Sequence, residues 1–182
     1  LILPFTASIK LVYLAYKDDS RAAAREWVEE NLPAGERVIV NARLTRLSSA
    51  PEAIAELATI QPDAARRADI SEAALGGSPF YKSFHALNLF TVTDEGFYAG
   101  LESYIKENKY QYLILSLEDF QKNEKLAMRW KKIAEGGEEL ARFGESDDVY
   151  SLSGSYFGNL PGFFRLKQFG PPIGIYQITT SN

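Results

Sequence analysis

Apolar positions along this chain switch repeatedly between helical spacing and short continuous runs. Asp18-Asp19-Ser20 offers helix N-cap oxygens, Ala24, Trp27, Val28 and Leu32 recur at helical spacing behind it, and Pro33 with Gly35 stops the helix. Residues 38–42 (VIVNA) read as a short buried strand. Ser49 and Glu52 have capping-box spacing, Pro51 sits in the first turn they would start, and Ile54, Leu57 and Ala58 form the apolar stripe. A further helical piece over residues 63–75 ends at Gly76-Gly77, and residues 86–92 (ALNLFTV) read as another strand. Thr93 and Asp94 cap a helix whose apolar face is Phe97, Leu101, Tyr104 and Ile105. Residues 112–116 (YLILS) form an uninterrupted apolar run suited to the middle of a sheet. Leu126, Trp130 and Ile133 mark one more helix, broken at Gly136-Gly137, and residues 173–179 (IGIYQIT) alternate as a final strand. Strands alternating with helices predict a single α/β domain: a small, mainly parallel sheet of about four strands with helices packed on it.

Residues 1–16 (LILPFTASIKLVYLAY) are the most apolar stretch at either end. They lack a basic leading region and a small-residue cleavage site, so they do not make a complete signal peptide. Pro4, Lys10 and the short length argue against a bilayer span by this stretch alone. Two readings stay open: a first strand or helix buried in the core, or the end of a transmembrane or linker segment over residues 1–17, ahead of a soluble α/β domain over 18–182.

The 182 residues are 46% hydrophobic, enough for one ordinary core. With 20 basic and 24 acidic residues the net charge is −4, and no basic block offers nucleic acid a local foothold, so no nucleic-acid partner is expected. The absence of cysteine excludes disulfides, thiolate zinc sites and thiol catalysis. The single His85 lies just before a strand, where a surface or edge position is expected. As a general base it would need a nucleophile and an orienting carboxylate that no motif supplies. The neighbouring carboxylates Glu29-Glu30 and Glu138-Glu139 read as solvated helix surface. Asp147-Asp148 sits in a loop without the spacing and glycine of a calcium site. Ser153-Gly154-Ser155 and Gly76-Gly77-Ser78-Pro79 lack the contexts of a nucleophile elbow and a phosphate loop, and read as turns. No catalytic, cofactor-binding or metal-ligating residue is therefore assigned, and no cofactor. The one candidate contact surface is the aromatic, glycine-rich stretch 147–164, with Tyr150, Tyr156, Phe157, Phe163 and Phe164 set among Gly154, Gly158 and Gly162. Such rings stack on sugars, rest at a membrane surface, or fill a satellite core under a long loop.

Residues 19–35 read DSRAAAREWVEENLPAG. They resemble the D-[ST]-R-x-x-A-x-x-W-[IV]-x-x-x-[IL]-P-x-G signature of large membrane glycosyltransferases related to dolichyl-phosphate-mannose protein mannosyltransferases and lipid A aminoarabinose transferases. The matching positions are Asp19, Ser20, Arg21, Ala24, Trp27, Val28, Leu32, Pro33 and Gly35. Residues 112–116 are similar to that family's Y-[VL]-[VI]-[VL]-S strand, and residues 170–178 (GPPIGIYQI) to its closing G-P-x-I-x-I-Y-x-[IL] strand. The stretch 144–164 matches no pattern. The resemblance implies a parent enzyme that moves a sugar from a polyprenyl-phosphate carrier to an acceptor on the extracytoplasmic face of the membrane. In that family the catalytic carboxylates lie in loops between early transmembrane helices, which this sequence does not contain. It implies a non-catalytic extracytoplasmic domain that helps to position acceptor or carrier. Its first partner would be the transmembrane part of the same parent chain, with a glycan, a lipid-linked sugar or the membrane surface as others. The residues alone equally allow a free-standing carbohydrate- or protein-binding module, or a small α/β enzyme with an unrecognised site.

Overall fold

Val38, Ile39 and Val40, and likewise Leu113, Ile114 and Leu115, are buried on both faces, which requires a sheet covered on both sides. The structure, a computed structural model, describes residues 2–15, 19–42, 47–75, 82–116, 124–144 and 169–178. Their order is α1 (Ile2–Ala15), α2 (Ser20–Asn31), β1 (Arg37–Asn41), β2 (Ser48–Ser49), α3 (Pro51–Ile60), α4 (Pro62–Leu75), β3 (Ser83–Asn88), α5 (Glu95–Ala99), α6 (Leu101–Glu107), β4 (Tyr112–Ser116), α7 (Glu124–Glu135), β5 (Glu138–Phe143) and β6 (Ile173–Gln177). The strands form one sheet in the order β2-β3-β1-β4-β6-β5. The first four run parallel, and β6 and β5 add antiparallel pairs beyond β4.

Helices cover both faces. Ala24, Val28 and Leu32 of α2 pack on Val38, Val40, Phe84, Ala86, Ile114, Ile173 and Ile175. On the other face Leu57, Ala64, Ala65, Tyr98, Leu101, Ile105, Trp130 and Ala134 meet Ile39, Leu87, Leu89, Leu113, Leu115 and Tyr176. The steps β2→β3 and β3→β4 move in the same direction across the sheet. Crossovers of one hand therefore place α3–α6 on one face.

The expected α/β domain is present, but its sheet has six strands and is mixed. Glu138-Glu139, expected on a solvated helix surface, instead open β5, an edge strand whose polar sequence EELARF leaves no strand signal. β2 is too short to leave a pattern. β3 begins and ends earlier than expected; Leu89 and Val92 are buried in a turn whose carbonyls accept the Tyr98 hydroxyl at 2.9 and 3.2 Å. The helix after Asp94 is two pieces divided at Gly100. Trp27, the bulkiest residue on the apolar side of α2, is only half-buried, whereas Trp130 is fully enclosed.

The apolar start of the chain is neither a strand nor a core helix. α1 buries Leu14 against Ala7 and Phe169, while Phe5, Ile9, Leu11, Val12 and Tyr13 are between 50% and 67% exposed. Burial in the core is overturned because the sheet face available to this end is already filled by α2.

Candidate functional site

Four side chains from four parts of the chain converge on the carboxylate of Glu56. Glu56 faces the sheet from α3; Arg37 opens β1, His85 lies beside it in register on β3, Tyr110 precedes β4, and Tyr104 comes from α6. The Tyr104 and Tyr110 hydroxyls donate to Glu56 Oε1 at 2.5 and 2.7 Å. Arg37 Nη2 donates to Oε2 at 2.8 Å, and His85 Nε2 lies 2.6 Å from the same oxygen. The Arg37 guanidinium also sits 4.5 Å from the centroid of the Tyr110 ring.

Burial alone would push the Glu56 carboxyl up. The two tyrosine hydroxyls, His85 and the Arg37 charge outweigh it and hold the group below its usual range. Burial first, and the Glu56 charge second, push both tyrosines well above their ordinary value, so both stay protonated donors. Every strong acceptor direction of this carboxylate is taken, so it has no lone pair left for a substrate proton. The hub also lies at the N-terminal ends of the parallel strands, opposite the edge where open α/β sheets bind ligands. It is a clasp joining α3 and α6 to the sheet. His85 is thus largely buried and paired on an inner strand, which corrects the expected surface or edge position; its partner comes from a helix 29 residues earlier.

At the C-terminal ends of the parallel strands the polar residues Asn41 and Ser116 are buried. Among the described residues Ser116 Oγ has no hydrogen-bond partner. The chain after β1 next appears at Leu47 on the α2 face, whereas α5, α6 and α7 follow β3 and β4 on the other.

Two of the sequence segments that carry the family resemblance meet at this edge. Ser20 N–H donates to the Phe169 carbonyl at 2.7 Å, and Ser20 Oγ to the Pro171 carbonyl at 2.6 Å. Gly170 has φ +98°, and a Cβ there would collide with Asp19 and Ser20. Asp19 caps α2 by accepting from the Arg21 amide at 2.9 Å and binds the Arg21 guanidinium with both oxygens. The D-S-R motif is therefore a structural corner locking the start of α2 to the strand β6, with Arg21 tied to Asp19 within the turn itself. The P-x-G end is structural too, with Gly35 at φ +86° and its N–H on the Ser83 carbonyl at 2.9 Å.

Two grooves flank α7. One, of about 590 Å³, lies between α7 and the α5–α6 pair and carries Lys125, Met128, Arg129 and Lys132. The other, of about 570 Å³, is more apolar, with Leu115, Ala127 and Ala134 beside the ring of Tyr176. At its end Arg142 grips Glu139 with two nitrogens. Among the described residues no group of three or more acidic or histidine side chains is placed to hold a metal.

Tyr150, Tyr156, Phe157, Phe163 and Phe164 lie outside the described residues, as do Asp147-Asp148, Ser153-Gly154-Ser155 and Gly76–Pro79. Glu29 pairs with Arg25 at 3.5 Å, and Glu139 with Arg142, so neither carboxylate pair faces a common ligand. The Glu56 hub leaves no sequence motif because its donors lie up to 54 residues from Glu56. The only local signal was Glu56 standing one position before the buried Leu57 on its helix. No protein-family model, curated protein or solved structure matches the chain.

Proposed function

We propose that this chain is a non-catalytic, membrane-associated domain of a glycosyltransferase that draws its sugar from a polyprenyl-phosphate carrier. It acts on the extracytoplasmic face, where it helps to position acceptor or carrier. The observation that carries the membrane part is α1. A helix apolar on nearly all sides belongs in a core or in lipid, and this one leaves five large apolar side chains open. Its 14 residues span about 21 Å, less than the roughly 30 Å hydrocarbon layer. No helix among the described residues is long and apolar enough to cross a membrane. Returning the half-exposed Phe5, Ile9, Val12 and Tyr13 to lipid gains about 1 kcal/mol each, enough for reversible binding. The glycosyltransferase part is supported by the D-S-R and G-P-P motifs, which pack against each other as one unit.

The test is the complete reading frame that encodes this chain. Expressed in membranes, it should transfer sugar from a polyprenyl phosphate; deletion of residues 18–182 should abolish transfer without preventing insertion, and the purified chain alone should be inactive. Normal transfer by the deleted form, or a frame without hydrophobic spans ahead of Leu1, refutes the assignment. The apolar groove beside Tyr176 favours a second reading, a small-ligand binding module. That reading predicts saturable ligand binding by the isolated chain without any dependence on α1.

A further inference from the structure

We infer that the sheet edge formed by the C-terminal ends of β1, β3 and β4 is the membrane-facing surface of the domain, turned toward the bilayer that holds α1; this rests on the lipid reading of α1 given above. Leu14, in the last turn of α1, is fully buried, and Phe169 packs against it. Phe169 accepts from the first amide of α2, and Pro171 accepts from the Ser20 hydroxyl. Two residues on, Ile173 pairs with Ser116, the last residue of β4. α1 therefore reaches the domain at the C-terminal ends of the parallel strands.

From there α2 runs back to the opposite edge, where Gly35 N–H meets the Ser83 carbonyl and Lys82 Nζ donates to the Leu32 carbonyl at 3.1 Å. A strand of five residues separates the two edges by about 16 Å. Asn41 and Ser116 lie on the near edge and the Glu56 hub on the far one. Gly144 and Phe169, which flank the aromatic stretch of the sequence, both border the near edge, Gly144 directly after Phe143 opposite Ile173.

Lipid, and not a second copy of the chain, fits the open face of α1. Phe5, Ile9, Val12 and Tyr13 lie on one side of the helix, and Leu11 lies off toward another. The helix has no acidic residue. Its one cation, Lys10, stays beside Tyr13 with Nζ 5.3 Å from the ring centroid, the pairing of an amphipathic cation and aromatic at a lipid–water boundary.

The chain has no cysteine, so one introduced thiol takes a unique label. Thr93→Cys, at the near edge, and Glu107→Cys, at the far end of the α5–α6 layer, are both exposed. Each is labelled with bimane and mixed with vesicles of phosphatidylethanolamine and phosphatidylglycerol containing a headgroup nitroxide lipid. Co-flotation is measured on the same samples. The expected result is that both float and that quenching at position 93 is at least twofold stronger than at 107. Flotation with equal or reversed quenching overturns the orientation alone. Failure to float, or a dimer in sedimentation that Ile9→Ser dissolves, overturns the lipid reading of α1 and the orientation with it.

Discussion

Replacing Glu56 by alanine leaves four donors facing one another around an empty site. A hydrogen bond to a charged group contributes about 1.5–3 kcal/mol when measured singly, and removing one member of a buried ionic cluster costs about 3–5 kcal/mol. The four contributions do not add. The Arg37 side chain is 30% exposed and returns to water cheaply, whereas Tyr110 is fully buried and His85 only 14% exposed. The expected cost of Glu56→Ala is thus about 3–4 kcal/mol, a large share of the roughly 5–15 kcal/mol of an ordinary domain. Glu56→Gln keeps the shape and one acceptor but turns an amide toward Arg37 and His85, for about 1–3 kcal/mol. The assay is urea unfolding followed by tryptophan fluorescence and circular dichroism. Because the folded Glu56 pKa lies below its ordinary 4.5, the stability it adds is present above that value and is lost as pH falls through the folded pKa. The gap between wild type and Glu56→Gln should therefore be constant between about pH 6 and 9 and shrink below about pH 4. A cost for Glu56→Ala under about 1 kcal/mol at neutral pH, or a gap unchanged down to about pH 3, refutes the clasp.

Three further outcomes are expected. Trp130→Ala should cost about 3–5 kcal/mol and Trp27→Ala about 1–2, because only the first ring is fully enclosed; equal losses in urea unfolding would contradict that difference. Gly170→Ala should destabilise by about 2–3 kcal/mol through its positive φ and the contact with Asp19 and Ser20, and Ser20→Ala by about 1–2. Thermal melting checks both, and an unchanged Tm for Gly170→Ala contradicts the corner. Burial raises the Tyr98 hydroxyl to about 12, so its ultraviolet titration step, identified by loss in Tyr98→Phe, should fall well above that of exposed tyrosines; a step near the ordinary 10.0 would deny its burial.

The α/β class, α2, α3, β1, β4 and β6 were legible from residue order, because buried central strands are continuously apolar, α2 carries its Asp19 cap and α3 its first-turn proline. The expected Ser49–Glu52 capping box does not form, since the N-cap is Ala50 without a side-chain bond and the Ser49 hydroxyl donates to the Ala86 carbonyl. The edge strand β5 was not legible, since a strand with one solvated side need not be apolar. The mixed sheet depends on which strand β6 joins, a pairing of Ile114 with Ile175 that no neighbouring residue dictates. Glu56, His85, Arg37, Tyr104 and Tyr110 each look unremarkable in sequence. Only the parallel register of β1 and β3 and the common face of α3 and α6 bring them onto one carboxylate. The apolar stretch at the start of the chain gave the same local signal for core and for lipid. Only the tertiary structure shows that five of its large apolar side chains stay uncovered. Local sequence carries propensity, caps and periodicity, while burial and charge pairing depend on long-range neighbours that only the tertiary structure supplies.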